Sequence, residues 1–520
     1  MAQDPKPNAD SAGAKAVAAI DIGSNALRMA IAEVFEGGRI EVLERLQRAV
    51  RLGQDTFRRG RLGAQSMRAA LAVLKDFRQV LRLYSVERVR AVATSAVREA
   101  ANADTFVDRV FLATGLHVDV IDPSEESRLT ISAARPHLGR VLNPNQPALV
   151  ADVGGGSTLL TLVHGDEILQ STSLRLGSIW LQEMLLTSEE SPKLSAELLR
   201  SHISNVLATA RGSLRLEEVE VLIGLGGDAR FAARRVGRPL DGAELSVVEA
   251  AALNKLVERC QNDTPEELAR RFGIPFAEAE TINPALLVYQ ILLSRTRADH
   301  MIVSSVSMRD GLLLELASEV TGREDEAMSA GMIHSAMALG EKFHVDAAHA
   351  RKVADLAVRL YDATSADHGL GARPRLLLRI AALVHEVGGF VSLRSHHKHS
   401  YYLIANSELF GLNRREIAIV ALVARYHRRS PPKPSHLEYM TQPRETRVLI
   451  GKLAALLRVA DALVRGHERN TADIRFERRG DELIVSVPGG GSLLLEQRAV
   501  AVKGDMFEDV FGMKVRLEGN

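Results

Sequence analysis

Two glycine-rich turns carry the residues of this sequence whose types and spacing are best suited to chemistry. One reads DIGSN at 21–25 and the other DVGGGST at 152–158, and each follows an apolar run. Successive backbone N–H groups in such a turn form a concavity that binds anions, and phosphate is the commonest such anion. The phosphate-binding candidates are Ser24, Asn25, Gly154, Gly155, Gly156, Ser157 and Thr158. Asp21 and Asp152 are candidate ligands for Mg²⁺, held directly or through water.

A single turn of this kind is more often an ordinary β-turn, but these two lie at matching places in an internal repeat. Residues 17–53 and 148–177 each read as a strand, an Asp-x-Gly turn, a second strand, a Gly-marked hairpin, a third strand and Arg-Leu-Gly. Strands then alternate with helical stretches in both halves, which is typical of an α/β fold. The sequence therefore predicts two lobes with a cleft between the two Asp-Gly turns.

The pattern changes near residue 320. Apolar residues recur at helical spacing over 325–470, where histidine is frequent, and short strand-like runs follow from about 471. The predicted organisation is a disordered lead at 1–15, lobe I at 16–135, lobe II at 136–318, a helical domain at 319–470 and a β-rich C-terminal domain at 471–520.

Composition limits the classes of protein that fit. The 520 residues carry a formal net charge of +1, so a site for a polyanion must be local. One cysteine, Cys260, excludes an internal disulfide framework and is typical of a reducing cytosol, so a cytoplasmic location is expected. No apolar run reaches the roughly 18 residues of a membrane span, and the polar start does not fit a signal peptide.

Five motifs in order along the chain resemble the exopolyphosphatase/guanosine pentaphosphate phosphohydrolase family. They are DIGSN at 21–25, ATSAVREAAN at 93–102, EESRL at 125–129, DVGGGST at 152–158 and GLGGDAR at 224–230, and HSYYLIANSELFGLNRREI at 399–417 continues the likeness. The resemblance implies two actin-like lobes of the sugar kinase/heat-shock ATPase superfamily, followed by an HD-like helical domain.

The resemblance also implies Mg²⁺-dependent hydrolysis of a terminal phosphoanhydride, with K⁺ as a candidate stimulating ion. Arg98 would grip the phosphate, and Glu126 would activate water and contact the metal. The residues alone leave alternatives open, because Arg98 could face solvent and Glu126, with its neighbour Glu125, could merely favour the first turn of a helix after Ser124. Family members commonly carry an acid where this chain has Leu159, which puts the metal geometry in doubt.

In the helical domain the resemblance implies a second metal site. The matching positions are His349, His385, Glu386 and Asp461. Glutamate replaces the usual aspartate at 386, and the competing interpretation is a set of buried, hydrogen-bonded polar residues.

A basic segment at 394–433 holds eight Lys or Arg residues against two acids. A solvated basic face would explain it, but beside a phosphate-cleaving activity it favours a channel for a polyanion. The predicted channel residues are Arg394, His396, His397, Lys398, His399, Arg414, Arg415, Arg425, Arg428 and Arg429. Nucleic acid is not expected, because 4% aromatic residues provide no stacking platform.

The function predicted from these features is an exopolyphosphatase that releases orthophosphate processively from inorganic polyphosphate. The first alternative is hydrolysis of the 5′ phosphate of guanosine pentaphosphate (pppGpp), a stringent-response activity that would use the same site. The others are a sugar or acetate kinase-like transferase and a phosphate-sensing protein that has lost catalysis. A homodimer is implied by the resemblance.

Overall fold

The computed structural model describes residues 14–139, 142–143, 146–165, 167–185, 190–210, 214–240, 244–321, 326–428, 430–464, 473–487 and 493–519. The chain divides into two compact units, Met1–Met328 and Ser329–Asn520. The predicted disordered lead at 1–15 lies almost wholly outside the described residues. No helix among the described residues is long and apolar enough to cross a membrane.

The first unit is α/β and is built on two mixed sheets. Its strands are β1 Lys15–Ile22, β2 Ala26–Val34, β3 Ile40–Ala49, β4 Arg88–Ala93, β5 Val118–Val120, β6 Pro147–Val153, β7 Thr158–His164, β8 Glu167–Leu174, β9 Val221–Leu225, β10 Arg238–Pro239, β11 Leu245–Glu249 and β12 His300–Ser304. The sheet orders are β3-β2-β1-β4-β5 and β10-β11-β12-β9-β6-β7-β8. The repeat seen in the sequence is thus a repeat of β-hairpins, with β1 beside parallel β4 and β6 beside parallel β9.

Helices pack on both sheets. They are α1 Leu52–Arg59, α2 Ala64–Leu83, α3 Ser95–Arg98, α4 Ala103–Thr114, α5 Pro123–Leu138, α6 Ser178–Leu185, α7 Pro192–Thr209, α8 Gly227–Val236, α9 Ala250–Cys260, α10 Pro265–Phe272, α11 Phe276–Arg295 and α12 Met308–Thr321. Each sheet has its own fully buried core, as expected for a β-strand that is covered on both faces.

The last helix of this unit returns to the first lobe. Leu312, Leu313 and Leu316 of α12 are buried in one cluster with Val17 of β1 and Leu129 of α5. The predicted lobe boundary at 318 placed this helix in the second lobe, whereas its apolar face packs on the first sheet.

The second unit is a helical bundle followed by a small sheet. Its helices are α13 Glu326–Lys342, α14 Ala347–Ala363, α15 Ser365–His368, α16 Ala372–Val384, α17 His396–Ala405, α18 Arg414–Arg425, α19 Leu437–Met440, α20 Arg444–Leu463, α21 Leu494–Lys503 and α22 Asp505–Phe511. Its strands are β13 Arg475–Arg479, β14 Glu482–Val487 and β15 Lys514–Gly519, in the order β13-β14-β15. The C-terminal part is therefore α+β.

Candidate active site

A cavity of about 360 Å³ lies between the two lobes of the first unit. Asp21 is the penultimate residue of β1 and Asp152 that of β6, so the carboxyl edges of both sheets face the cavity. Ligands of α/β proteins bind at such edges. The predicted cleft between the two Asp-Gly turns is therefore present.

The second glycine turn lines the cavity with its backbone. The carbonyl of Gly154 accepts a hydrogen bond from the N–H of Ser178 at 2.9 Å, and the carbonyl of Gly155 accepts from Ile179 and Trp180 at 2.9 Å each. C=O and N–H of one trans peptide point in opposite directions. The N–H groups of Gly155 and Gly156 therefore point away from α6, as an anion-binding turn requires.

Close packing explains why this turn is made of glycine. A Cβ at Gly156 would lie 2.3 Å from Ser95 Oγ, and one at Gly155 would lie 2.8 Å from Ser24 Cβ. Ser24 and Ser95 are themselves linked through their hydroxyl groups at 3.0 Å. The turn of the second lobe thus seats directly against two hydroxyl-bearing turns of the first.

Side chains at the start of β7 point alternately toward and away from the cavity, so only some of the predicted phosphate contacts line it. Ser157 and Leu159 line the cavity, whereas Thr158 is fully buried on the other face and donates to the Leu176 carbonyl at 2.8 Å. The Thr158 hydroxyl is therefore bonded within the second lobe and does not line the cavity. Leu159 pairs in register with Asp152 and is 6% exposed, so its apolar side chain sits beside the acids.

Glu126 lies in the first turn of α5 and faces the cavity. The helix is capped by Asp122, which accepts from the N–H of Glu125 at 3.0 Å, rather than by Ser124. Burial raises the pKa of Glu126 to about 7, with further increases from Asp21 and Asp152, against the attraction of Arg98. A carboxyl group that exchanges its proton near neutral pH is suited to general base catalysis.

Arg98 contacts this carboxylate rather than the cavity. Its guanidinium donates to Glu126 and, at 2.7 Å, to the Ile121 carbonyl, and it is not among the residues that line the cavity. The structure thus pairs Arg98 with Glu126, and the phosphate contact expected of Arg98 stays a prediction. Glu125 points elsewhere, into an ion pair with Arg128 at 2.7 Å.

The arginines that do line the cavity are Arg28, Arg230, Arg234 and Arg309. Arg28 is the cross-strand partner of Asp21, with Nη1 3.4 Å from Oδ2. Burial lowers the pKa of Arg309 to about 10, which still leaves it charged at neutral pH. The sequence analysis missed these four as site residues, although Arg230 was visible at the end of the GLGGDAR motif.

Two further carboxylates line the cavity, Asp228 and Glu278, and neither was predicted. Asp228 lies in the first turn of α8, and its Oδ1 accepts from Thr281 Oγ1 at 3.0 Å. Burial raises its pKa to about 6, while the Thr281 hydrogen bond and Arg230 oppose that rise. Its signal in the sequence was the acid that follows the two glycines of GLGGD.

Comparison with known proteins agrees with this geometry. The sequence pattern of the Ppx/GppA phosphatase family matches residues 30–320, and that of Ppx/GppA phosphatase, domain III matches 333–490. The chain belongs to the Ppx/GppA phosphatase family. It is therefore a phosphatase of the actin-like fold class, as the resemblance in its motifs implied.

Relatives in this family match most of the chain. The guanosine-5′-triphosphate,3′-diphosphate pyrophosphatase of Vibrio vulnificus is 26% identical over 488 residues, covering 90% of this chain and 91% of the relative. The protein of the same name from Photobacterium profundum is 25% identical over 464 residues, covering 87% of each. The crystal structure of an exopolyphosphatase from Cytophaga hutchinsonii has a TM-score of 0.53 at 23% identity, covers 60% of this chain and 99% of its own, and supports the fold.

The predicted channel residues lie in the second unit. Arg394, Lys398, Arg414 and Arg415 are exposed, whereas Arg425 pairs with Glu438 at 3.2 Å. Burial lowers the pKa of His397 to about 4. Burial likewise lowers the pKa values of His396 and His427, so these histidines do not add the positive charge expected of them. His399 is half-buried, and Arg428 donates to His396; Arg429 lies outside the described residues.

Proposed function

We propose that this phosphatase hydrolyses the terminal phosphoanhydride of a linear polyphosphate, with inorganic polyphosphate as its principal substrate. The observation that carries the proposal is one cavity that joins an N–H-lined glycine turn, five carboxylates and four arginines. A terminal phosphoryl group spreads its transition-state charge over several oxygens, which such a set of cations and N–H donors can stabilise.

The acids of the cavity fit a divalent cation. Burial raises the pKa values of Asp152 and Glu126, and repulsion from neighbouring carboxylates raises them further, so a positive ion among these acids would relieve that repulsion. Oxygen donors suit Mg²⁺, which usually keeps several waters. Among the described residues, the trios of His, Cys, Asp or Glu with ligand atoms all within 4.8 Å lie in the second unit. Asp21 and Asp152 would therefore hold Mg²⁺ partly through water, and the bound ion would neutralise phosphate charge.

The reacting water would be deprotonated by Glu126. Its pKa of about 7 leaves a substantial ionised fraction at neutral pH and a good acceptor for the proton. Arg98, fixed by the Ile121 carbonyl, keeps that carboxylate in place. Arg28, Arg230 and Arg309 would bind the phosphate oxygens.

Asp228 would replace the acid that family members commonly carry at the position of Leu159 and would support the metal in its place. It reaches the same cavity from α8, with its orientation fixed by Thr281. Asp228→Asn is therefore expected to raise the Mg²⁺ concentration needed for half-maximal activity by roughly tenfold, the scale typical of groups that support a metal. Leu159→Glu in that variant should restore it.

The exposed cations of the basic segment support polyphosphate over a small nucleotide. Several weak contacts along a chain raise its effective concentration near the enzyme between cleavages. Arg394, Lys398, Arg414 and Arg415 are exposed, and Arg415 also donates a hydrogen bond to Thr446 Oγ1 at 2.8 Å. A homodimer would extend this surface, and light scattering of the intact chain tests that part of the proposal.

The second candidate substrate is pppGpp, which the curated relatives named above favour over about 90% of the chain. The experiment is phosphate release with Mg²⁺ from long-chain polyphosphate and from pppGpp in parallel, with Glu126→Gln as the control. Faster release from the polymer, lost in the variant, supports the proposal. Preference for the nucleotide replaces it with the second candidate, and binding without release from either would identify a phosphate sensor.

A further inference from the structure

Three histidines and two carboxylates converge at the ends of four helices in the second unit. His349 is in the first turn of α14, His385 and Glu386 directly follow α16, His427 follows α18, and Asp461 is in the last turn of α20. The ligand atoms of His349, His385 and Glu386 lie within 4.8 Å of one another. The same holds for His385, His427 and Asp461, so both sets share His385.

The tautomer of His385 is fixed by its surroundings. Its Nδ1 lies 2.7 Å from the Ala382 carbonyl, which can only accept, so Nδ1 carries the proton and Nε2 carries a lone pair. The side chain is fully buried, and Nε2 makes no hydrogen bond among the described residues. An N–H donated to a backbone carbonyl is also how metal-bound histidines are usually held.

The group that faces this lone pair is another acceptor. Asp461 Oδ1 lies 3.9 Å from His385 Nε2 and 3.9 Å from His349 Nε2, and Glu386 Oε2 lies 3.9 Å from His349 Nε2. These distances are too long for hydrogen bonds. They do fit ligands on opposite sides of one ion with bonds of about 2.0–2.2 Å. The lone pair of the buried His385 Nε2 thus faces a carboxylate oxygen of the buried Asp461, and a cation between these two acceptors would satisfy both.

His427 has the same arrangement as His385. Its Nδ1 donates to the Ala424 carbonyl at 2.5 Å, which leaves the lone pair on Nε2. That nitrogen accepts from His396 Nε2 at 3.1 Å, and Arg428 Nη1 donates to His396 Nδ1 at 3.2 Å. His396 is thus neutral and donates its Nε2–H to His427. His427 can bind an ion through Nε2 once this one hydrogen bond is broken.

A purely structural interpretation accounts for part of the cluster. Lys503 is buried and its ammonium binds Asp461 Oδ2, which pairs that carboxylate with a cation. It leaves Oδ1 turned toward the histidines and gives His385 Nε2 no donor. Leaving a buried acceptor unsatisfied is costly, so the Lys503 pair alone does not explain the arrangement.

We propose that His349, His385, Glu386, His427 and Asp461 form a binding site for a divalent transition-metal ion of the zinc class. Imidazole with carboxylate favours Zn²⁺, Mn²⁺ or Fe²⁺ over Mg²⁺, and Cys260 lies in the other unit. The sequence resemblance suggested four of these residues, while His427 and the two fixed tautomers come from the structure. Because the ligands come from four helix ends, the ion ties the bundle together, and the half-exposed Glu386 provides its entry side.

The test uses the full chain, stripped of metal with a chelator and then titrated with Zn²⁺ in excess Mg²⁺. We expect at least one equivalent of zinc to bind per chain, as measured by elemental analysis after gel filtration, and the melting temperature to rise. His385→Gln and His427→Gln should each weaken zinc binding by at least roughly 100-fold, beyond the loss typical of outer-shell groups. His117→Gln, which removes an exposed histidine of the first unit, should change nothing.

Three results would overturn the proposal. Wild-type chain that binds no zinc would show that the Lys503–Asp461 pair satisfies the cluster by itself. Binding that survives both cluster variants, or that falls equally in His117→Gln, would show adventitious ions only. If a variant misfolds, Co²⁺ added to the stripped wild type decides instead. A strong visible band of low-coordinate cobalt supports the site, and the weak spectrum of hydrated cobalt refutes it.

Discussion

Replacing Glu126 with glutamine should separate activity from stability. The variant keeps the size of the side chain but cannot accept a proton from water, so phosphate release should fall by roughly 10²–10⁴-fold, the usual contribution of a general base. The same change should make the first unit more stable above neutral pH, because an ionised carboxylate is unfavourable at this buried position.

The size of the stability effect follows from the pKa. One pKa unit corresponds to about 1.4 kcal/mol, so a rise from 4.5 to about 7 means that ionising Glu126 costs the folded chain roughly 3 kcal/mol. Between these two pH values the unfolded chain binds fewer protons than the folded one, so the free energy of unfolding falls as pH rises. Glutamine removes that fall, and the variant should gain up to the same amount at pH 8 and nothing below pH 4.5.

Urea unfolding at pH 5 and pH 8 measures the difference in unfolding free energy between wild type and variant. Initial rates of phosphate release from pH 5.5 to 8.5 measure the effect on activity. The wild-type rate should have an acid limb near pH 7 that the variant lacks. Glu125→Gln is the matched control, since its carboxylate pairs with Arg128 outside the cavity, and it should keep the acid limb. An active Glu126→Gln chain, or one with unchanged unfolding at pH 8, would refute the assignment of the base.

Three further outcomes are expected. Arg98→Met removes an attraction that lowers the pKa of the general base, so the acid limb of the pH–rate profile should move to higher pH; an unmoved limb would mean that the ion pair does not form in solution. Gly156→Ala places a Cβ 2.3 Å from a neighbouring oxygen and should cost roughly 1–3 kcal/mol of unfolding free energy along with most phosphate binding. Gly37→Ala, with nothing within 4 Å, should be neutral in the same melts. Paired Arg394→Ser and Lys398→Ser changes should raise KM for long polyphosphate several-fold and flatten its salt dependence while leaving pppGpp hydrolysis unchanged. Equal effects on both substrates would contradict a polyanion channel.

The repeat and the motifs allowed the lobes, the cleft and the acids Asp21, Glu126 and Asp152 to be predicted. These features depend on local patterns: an apolar strand, a glycine turn and a first-turn acid are each readable within about ten residues. The role of Glu126 was predicted only from the family resemblance. Its local sequence pattern is also that of an acid that merely stabilises the first turn of a helix.

The partners of those residues could not be predicted in the same way. Arg98 meets Glu126 across 28 positions, and Lys503 meets Asp461 across 42, so their pairing depends on how helices pack rather than on spacing. The direction of the Thr158 hydroxyl could not be predicted for a local reason. Strand β7 begins at this residue, and successive side chains of a strand point to opposite faces. The positive charge expected of His396 and His397 was also not predictable from composition. Burial, which only the fold reveals, lowers the pKa values of both histidines.

The return of α12 to the first lobe has a consequence for synthesis on the ribosome. Its leucines cover a sheet face that begins with Val17. That face stays uncovered until the ribosome has synthesised the nearly 300 residues between Val17 and α12. At about 5–20 residues per second, the wait is on the order of 15–60 s. The second lobe can complete its own core in that interval, whereas the first must hold an uncovered apolar surface until the chain comes back to it.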